Sequence, residues 1–290
     1  MGNYREYLSE QNGKKDKRKK KRHHRGLILM LVVSLAVYAG ISQEKLSYDE
    51  VETSIKKGAK KIQTMAVLYT SHNFGGRELP IYSVDTKEKK IAISFDAAWG
   101  AEDFDRIMEI LDKHKVKATF FMTGNWVNDN PECVKTLVDK GHDLGNHSEH
   151  HYDMTTISQE EMKKEIMDVH ESVKQLTGYE MELFRPPYGA YDNNVINVAY
   201  DCDYFPIEWN VDSLDWKDYG AESIIKTVTE HKDLGPGSII LCHNGAKYTA
   251  DALDELLTKL KEKGYELVPI SELIIKKDYH MDVTGKQIAD

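Results

Sequence analysis

Ile91-Ala92-Ile93-Ser94-Phe95-Asp96 is a short apolar run that closes on a carboxylate. It reads as a strand. Residues 101–115 follow, with Phe104, Ile107, Met108 and Leu111 at the i, i+3, i+4, i+7 spacing of a helix face. Lys117 to Met122 reads as the next strand. The same alternation runs on through a helix at 131–140 and a weak strand at 142–147. A long helix at 158–177 carries Met162, Ile166, Val169, Val173 and Leu176 on one stripe. A strand at 181–184, a helix at 193–202, a strand at 204–211 and a helix at 221–231 come next. A strand at 238–242, a helix at 250–263 and a final strand at 265–270 close the series. Seven strands with a helix between each successive pair predict right-handed crossovers and a parallel sheet. That many units predict an α/β barrel, with an open doubly wound sheet as the alternative. No Gly-rich phosphate loop follows the first strand, so a nucleotide site is not expected.

The chain on either side of this pattern differs in composition. Residues 1–25 hold ten Lys/Arg against three Asp/Glu, which leaves 29 basic and 45 acidic residues for 26–290. The part that folds is therefore acidic, which argues against nucleic acid as a partner. Gly26 to Ile41 follows the basic block as sixteen residues without a charge. A cationic block abutting an apolar run predicts a signal anchor with its tail in the cytoplasm and the rest of the chain outside it. The alternative is secretion after cleavage near Ala39, where Val37-Tyr38-Ala39 has signal-peptidase spacing. Residues 42–88 read as an extracytoplasmic stalk and lead-in, 89–275 as the main folded domain and 276–290 as a tail. Three scattered cysteines, Cys133, Cys202 and Cys242, predict no disulfide framework.

In a parallel barrel the reactive groups gather at the C-terminal ends of the strands. Those ends carry Asp96, His147 with His151, Arg185-Pro186-Pro187-Tyr188, Asp212-Ser213-Leu214-Asp215-Trp216, and His243. Five of seven strands thus deliver an ionisable group to one rim. Two imidazoles four residues apart can meet one cation in a helical turn or tight loop, and two nitrogens with a carboxylate suit zinc or another divalent ion. The bland readings stand beside these. His147 and His151 are two of twelve histidines, Asp96 could cap the helix at 101–115, and Arg185 could form a structural ion pair. Asp215 and His243 make a carboxylate–imidazole couple that raises the imidazole pKa. Trp216 and Leu241 are candidates for a small apolar pocket.

Phe95-Asp96, His147-Ser148-Glu149-His150-His151, Arg185-Pro186-Pro187-Tyr188, Asp212-Ser213-Leu214-Asp215-Trp216 and Leu241-Cys242-His243 occur in the order of the five motifs of polysaccharide deacetylases. The chain resembles these NodB-homology enzymes of carbohydrate esterase family four over about residues 85–275. The resemblance implies a distorted, incomplete (β/α) barrel and metal-dependent removal of N-acetyl groups from a cell-wall glycan, peptidoglycan foremost. It implies Asp96 as the base, oriented by Arg185. His147 and His151 are implied as ligands of a divalent metal: zinc, or else cobalt, nickel or manganese. It also implies the Tyr188 N–H as an oxyanion donor, His243 as the acid tuned by Asp215, and Trp216 and Leu241 as the acetyl pocket. Most members carry a second carboxylate after the base as third ligand. Here that position is Ala97, which leaves Asp96 itself, Glu102 or Asp103 as candidates. A similar replacement marks a subgroup resembling sporulation-associated and other wall deacetylases of Gram-positive spore formers. The rivals are an esterase or deacetylase of a different glycan, such as a chitin oligomer, a capsular polymer or xylan, a non-catalytic glycan-binding module, and a barrel glycosidase built on Asp96 and Asp215.

Overall fold

The computed structural model describes residues 73–74 and 76–290. The basic tail, the apolar run at 26–41 and most of the 42–88 stalk lie outside the described residues. Among the described residues no helix is long and apolar enough to cross a membrane.

The first strand of the main sheet, β1 (Lys90–Ala97), is buried from its second residue onward. Helix α1 (Phe104–His114) packs Phe104, Ile107, Met108 and Leu111 inward, the predicted stripe, and ends where Lys115 turns left-handed. Strand β2 (Thr119–Met122) is followed by two helices instead of one, α2 (Gly124–Asp129) and α3 (Pro131–Asp139). The Thr123 hydroxyl caps α2, and Pro131 opens α3 at a position that needs no backbone donor. Strand β3 (Asp143–Asn146) is short but fully buried. Helix α4 (Gln159–Thr177) starts on a Ser158–Glu161 capping box and stops at Gly178, whose φ of 76° suits a residue without a Cβ. Strand β4 (Leu183–Phe184), helix α5 (Asn193–Asp201), strands β5 (Phe205–Pro206) and β6 (Val211–Asp212) and helix α6 (Ala221–Thr229) follow. Strand β7 (Ile239–His243), helix α7 (Thr249–Glu262), strand β8 (Glu266–Leu267) and helix α8 (Ile270–Leu273) complete the series.

The strands run in the order β5-β4-β3-β2-β1-β7-β6, all parallel, with β8 pairing the start of β1. Seven parallel strands on one path form the incomplete barrel that was expected. The single strand expected at 204–211 is instead divided. Its first half pairs β4 at one edge of the sheet and its second half pairs β7 at the other. No helix separates the two halves, so the strict alternation fails at this point. One segment that spans the opening of a barrel cannot keep one ladder along its length. Between the halves, Ile207 bridges to Ile81, and the Asn210 side chain accepts from the Ile239 N–H at 2.9 Å in place of a strand neighbour.

The core lies between the sheet and its helices, with Phe95 stacked on Phe120 at 5.0 Å. Gly145 in β3 has a packing reason: a Cβ there would lie 2.4 Å from the Phe121 ring. Residues 276–290, expected as a tail, hold a hairpin of Tyr279–Met281 and Lys286–Ala289 whose second strand pairs with Ser83–Val84 of the lead-in. Tyr279 and Met281 face inward while His280 is exposed, the period-two burial of a half-buried strand.

Candidate active site

Strand β1 delivers Asp96 almost fully buried, 5% exposed, and a carboxylate so placed needs a partner. Arg185, just beyond the end of β4, supplies it: Nη1 donates to Asp96 Oδ1 at 2.6 Å. Arg185 is wholly buried. Its Nη2 donates to Ser94 Oγ at 2.9 Å and to the Glu208 carbonyl at 3.4 Å. The guanidinium lies 4.0 Å from the centroid of Phe121, so the glycine at 145 admits the ring that supports this cation. Burial pushes the Asp96 carboxyl up, but Arg185, with His147 and His243, overrides it and holds the group below the ordinary carboxylate range. Asp96 caps no helix; the residue before α1 is Asp103.

The loop after β3 brings the two imidazoles together as a tight turn. Ser148 and His151 both take left-handed backbone, φ 66° and 59°, a conformation that non-glycine residues hold only under constraint. The His151 N–H donates to Ser148 Oγ at 3.0 Å, and Glu165 of α4 accepts from the His150 N–H and meets its ring. His147 Nδ1 sits 2.7 Å from the Arg185 carbonyl. A carbonyl only accepts, so Nδ1 carries the proton and Nε2 keeps its lone pair. That Nε2 lies 3.2 Å from His151 Nε2 and 3.5 Å from Asp96 Oδ2. Burial drives the His147 imidazole down to about 4, against the pull of Asp96, so it is neutral at pH 7. Burial also lowers His151.

Strand β7 ends in His243. Its Nδ1 and its backbone N–H both meet Asp215 at 2.7 Å. Asp215 is fully buried and also accepts from Thr249 Oγ1 at 2.6 Å. Burial pulls the His243 imidazole down, but the Asp215 carboxylate, helped by Asp96, wins and raises it. Asp215 therefore lies behind the histidine rather than across the site from Asp96. This removes the glycosidase arrangement, which needs two carboxylates flanking the scissile bond.

Tyr188 has a left-handed φ of 62°, is exposed, and sets its ring 4.5 Å from His151. Asp96, His147, His151, Tyr188 and His243 line a cavity of about 90 Å³. A wider groove of about 800 Å³ adjoins it, lined among others by Trp99, Trp216, Leu241 and Lys247. The exposed Trp216 lines the wider groove, and the buried Leu241 lines both the groove and the small cavity. The structure also brings in Ser94, Trp99, Glu208 and Trp209, none of which the sequence singled out. Trp99 packs 5.4 Å from His151, and Trp209 lies 5.5 Å from the Arg185 guanidinium. The only sequence signal for them is their place next to a motif.

Among the described residues no three His, Cys, Asp or Glu side chains take up the spacing of a complete metal site. Ala97 is buried and offers no donor, Glu102 folds back over Gly100, and Asp103 stays at the start of α1. The donor chemistry still fits a divalent cation at two nitrogens. His147 is held neutral with its lone pair outward, and His151 Nε2 faces the same point. Asp96 Oδ2 is the nearby oxygen that Arg185 leaves free.

Comparison with known proteins agrees with this geometry. The family described as Polysaccharide deacetylase matches residues 83–207. The chain is 35% identical over 203 residues to the peptidoglycan-N-acetylmuramic acid deacetylase PdaA of Bacillus subtilis, covering 69% of this chain and 77% of that one. It is 39% identical over 189 residues to the peptidoglycan-N-acetylglucosamine deacetylase PgdA of Listeria monocytogenes, covering 65% and 40%. Among solved structures, a CE4 family pseudoenzyme from Bacillus anthracis superposes with a TM-score of 0.65 at 35% identity, over 72% of this chain and 70% of that one. A mutant of that pseudoenzyme has restored enzymatic activity. With the five motifs converging on one rim, the chain belongs to the polysaccharide deacetylase family.

Proposed function

We propose that this protein is a hydrolase that removes N-acetyl groups from the amino sugars of peptidoglycan. The observation that carries the proposal is the convergence of Asp96, the two facing imidazoles and the Asp215-backed His243 on one small cavity. Asp96, aimed by Arg185, accepts the proton of the attacking water. The Tyr188 N–H donates to the oxygen on which negative charge develops; loss of one such donor typically costs ~10²–10³ in rate. His243, its pKa raised by Asp215, gives its proton to the leaving nitrogen as the carbon–nitrogen bond breaks. The products are acetate and a free amino sugar. Trp216 and Leu241 shape the wall for the acetyl methyl. A divalent ion held by His147 and His151, with Asp96 as the oxygen ligand, would supply Lewis-acid polarisation of the carbonyl and the water. Zinc suits this donor set best; cobalt, nickel and manganese are the alternatives. Acetate release from purified peptidoglycan with each metal added tests the proposal, with chitin oligomers and acetylated xylan as controls.

The second reading is a glycan-binding protein on the same fold that does not hydrolyse. Ala97 at the usual third-ligand position and the similarity to a pseudoenzyme favour it. Glycan binding without acetate release, zinc or cobalt present, would establish it. We further propose that residues 26–41 anchor the chain in the membrane, with residues 1–25 in the cytoplasm, 42–88 as stalk and lead-in, and the catalytic domain outside. The support is the basic block against an uncharged run. Protease treatment of intact spheroplasts should degrade the domain; its protection would refute the topology.

A further inference from the structure

We propose that Glu208 is a positioning residue for the deacetylation, holding the Arg185 guanidinium on Asp96 and the Pro187–Gly189 turn over the site. The inference rests on the hydrolase reading above. Glu208 sits in the segment that spans the barrel opening, between β5 and β6, and is 1% exposed. Its backbone is fixed at both ends: the N–H donates to the Ile81 carbonyl at 2.8 Å, and the carbonyl accepts from Arg185 Nη2 at 3.4 Å. Its carboxyl reaches under the turn that carries Tyr188. A Cβ on Gly189 would lie 3.3 Å from Glu208 Oε2 and 3.2 Å from the Trp209 ring. Gly189 also takes a φ of 63°, which favours a residue without a Cβ, and the space beside it is tight.

Two buried polar atoms in this cluster find no hydrogen-bond partner: Glu208 Oε1, an acceptor, and Arg185 Nε, a donor. Orphans of complementary kind on two residues already joined through the Glu208 carbonyl mark a place where a bridging water completes the network. The charged and titratable groups that act on Glu208 are Arg185 and Asp96, and Glu208 in turn acts on Tyr82 of the lead-in. Burial pushes the Glu208 carboxyl up to about 8; Arg185 opposes this and Asp96 adds to it. At neutral pH the side chain is therefore an uncharged acid. In that form it leaves the cationic charge of Arg185 to Asp96 and still offers a hydrogen bond. An ionised neighbour would compete with Asp96 for the same guanidinium.

The test compares Glu208→Gln with Glu208→Leu in the full-length protein. The amide reproduces the shape and polarity of the neutral acid, so Glu208→Gln should keep kcat near wild type at pH 7. The leucine is of similar size but makes no hydrogen bond. It should lower kcat by about 10²-fold at nearly constant KM, the loss expected when a catalytic group is displaced by ~1 Å. Glu208→Ala, which leaves room for water, takes its place if Glu208→Leu does not fold. Infrared spectra should show a protonated-carboxyl band at pH 7 that Glu208→Gln lacks and that fades as pH rises through about 8. Wild-type kcat in the apolar variants, equal loss in Glu208→Gln, or identical infrared bands would each overturn the proposal. Absence of acetate release from the wild type would instead count against the hydrolase reading and leave the infrared result standing.

Discussion

Asp96 and His243 are register partners, opposite each other near the ends of the adjacent parallel strands β1 and β7. Register partners on neighbouring strands present their side chains to the same face. The proposed base and the proposed acid are thus set side by side by the sheet itself, and the Asn244 N–H tightens the junction by donating to the Asp96 carbonyl at 2.9 Å. Their environments push them apart in proton affinity. Arg185 lowers the Asp96 pKa against its burial, and Asp215 raises that of His243 against its own. Two groups with opposite pairing divide the roles of base and acid.

Asp96→Asn retains the shape of the carboxylate but cannot accept the proton. Its kcat for acetate release should fall by ~10²–10⁴-fold, as should that of His243→Gln. Circular dichroism should show both variants folded. Normal turnover in Asp96→Asn would rule out its role as base.

The pH profile should carry an alkaline limb set by loss of the His243 proton, placed above the ordinary histidine value. Asp215→Asn removes the anion that raises it and leaves burial, which lowers it, so the limb should move to lower pH. The same pair affects stability. A histidine whose pKa is raised on folding stabilises fully below its unfolded pKa, and that share is lost as pH rises through the folded value. Melting temperatures of wild type and Asp215→Asn should therefore converge toward alkaline pH. An unmoved alkaline limb would disconnect Asp215 from the acid.

Arg185→Leu leaves Asp96 buried without its cation. Breaking a buried pair from one side costs about 3–5 kcal/mol, which urea denaturation would resolve. Arg185→Leu combined with Asp96→Asn should recover part of that loss, because no buried charge is then left unpaired. If the double variant is no more stable than Arg185→Leu alone, the pair is not the source of the cost.

Gly145→Ala drives a methyl into the Phe121 ring, which must leave its present place against the guanidinium it supports. Overpacking of this kind costs ~1–3 kcal/mol. A fall in kcat should accompany the fall in stability, since Arg185 aims Asp96. Full activity at reduced stability would show that the ring can move without disturbing the base.

Zinc titration by calorimetry should give one site, abolished in His147→Ala and strongly weakened in His151→Ala. His147 carries more because its tautomer is set by the Arg185 carbonyl. Zinc affinity unchanged in both variants would show that the facing imidazoles are not the ligands.

Much of this was legible in the sequence because it depends on local order. A continuous apolar run marks β1, and apolar stripes of period 3.6 mark α1 and α4, with nearly their observed bounds. A parallel α/β sheet puts the ends of its strands on one rim whatever the loops do, so Asp96, Arg185, Asp215 and His243 could be read as neighbours. What could not be read are relations between segments far apart in the chain. The splitting of 204–211 between the two edges of the opening follows from barrel closure, and its residues carry no mark of it. The strand at the C-terminus pairs with residues two hundred positions earlier. Glu208 looks like any exposed acid in sequence; only the fold buries it behind Arg185. Local pattern determines the elements and the rim on which their ends fall. Burial, partner and proton affinity are set by which distant surfaces meet, and only the packed tertiary structure decides that.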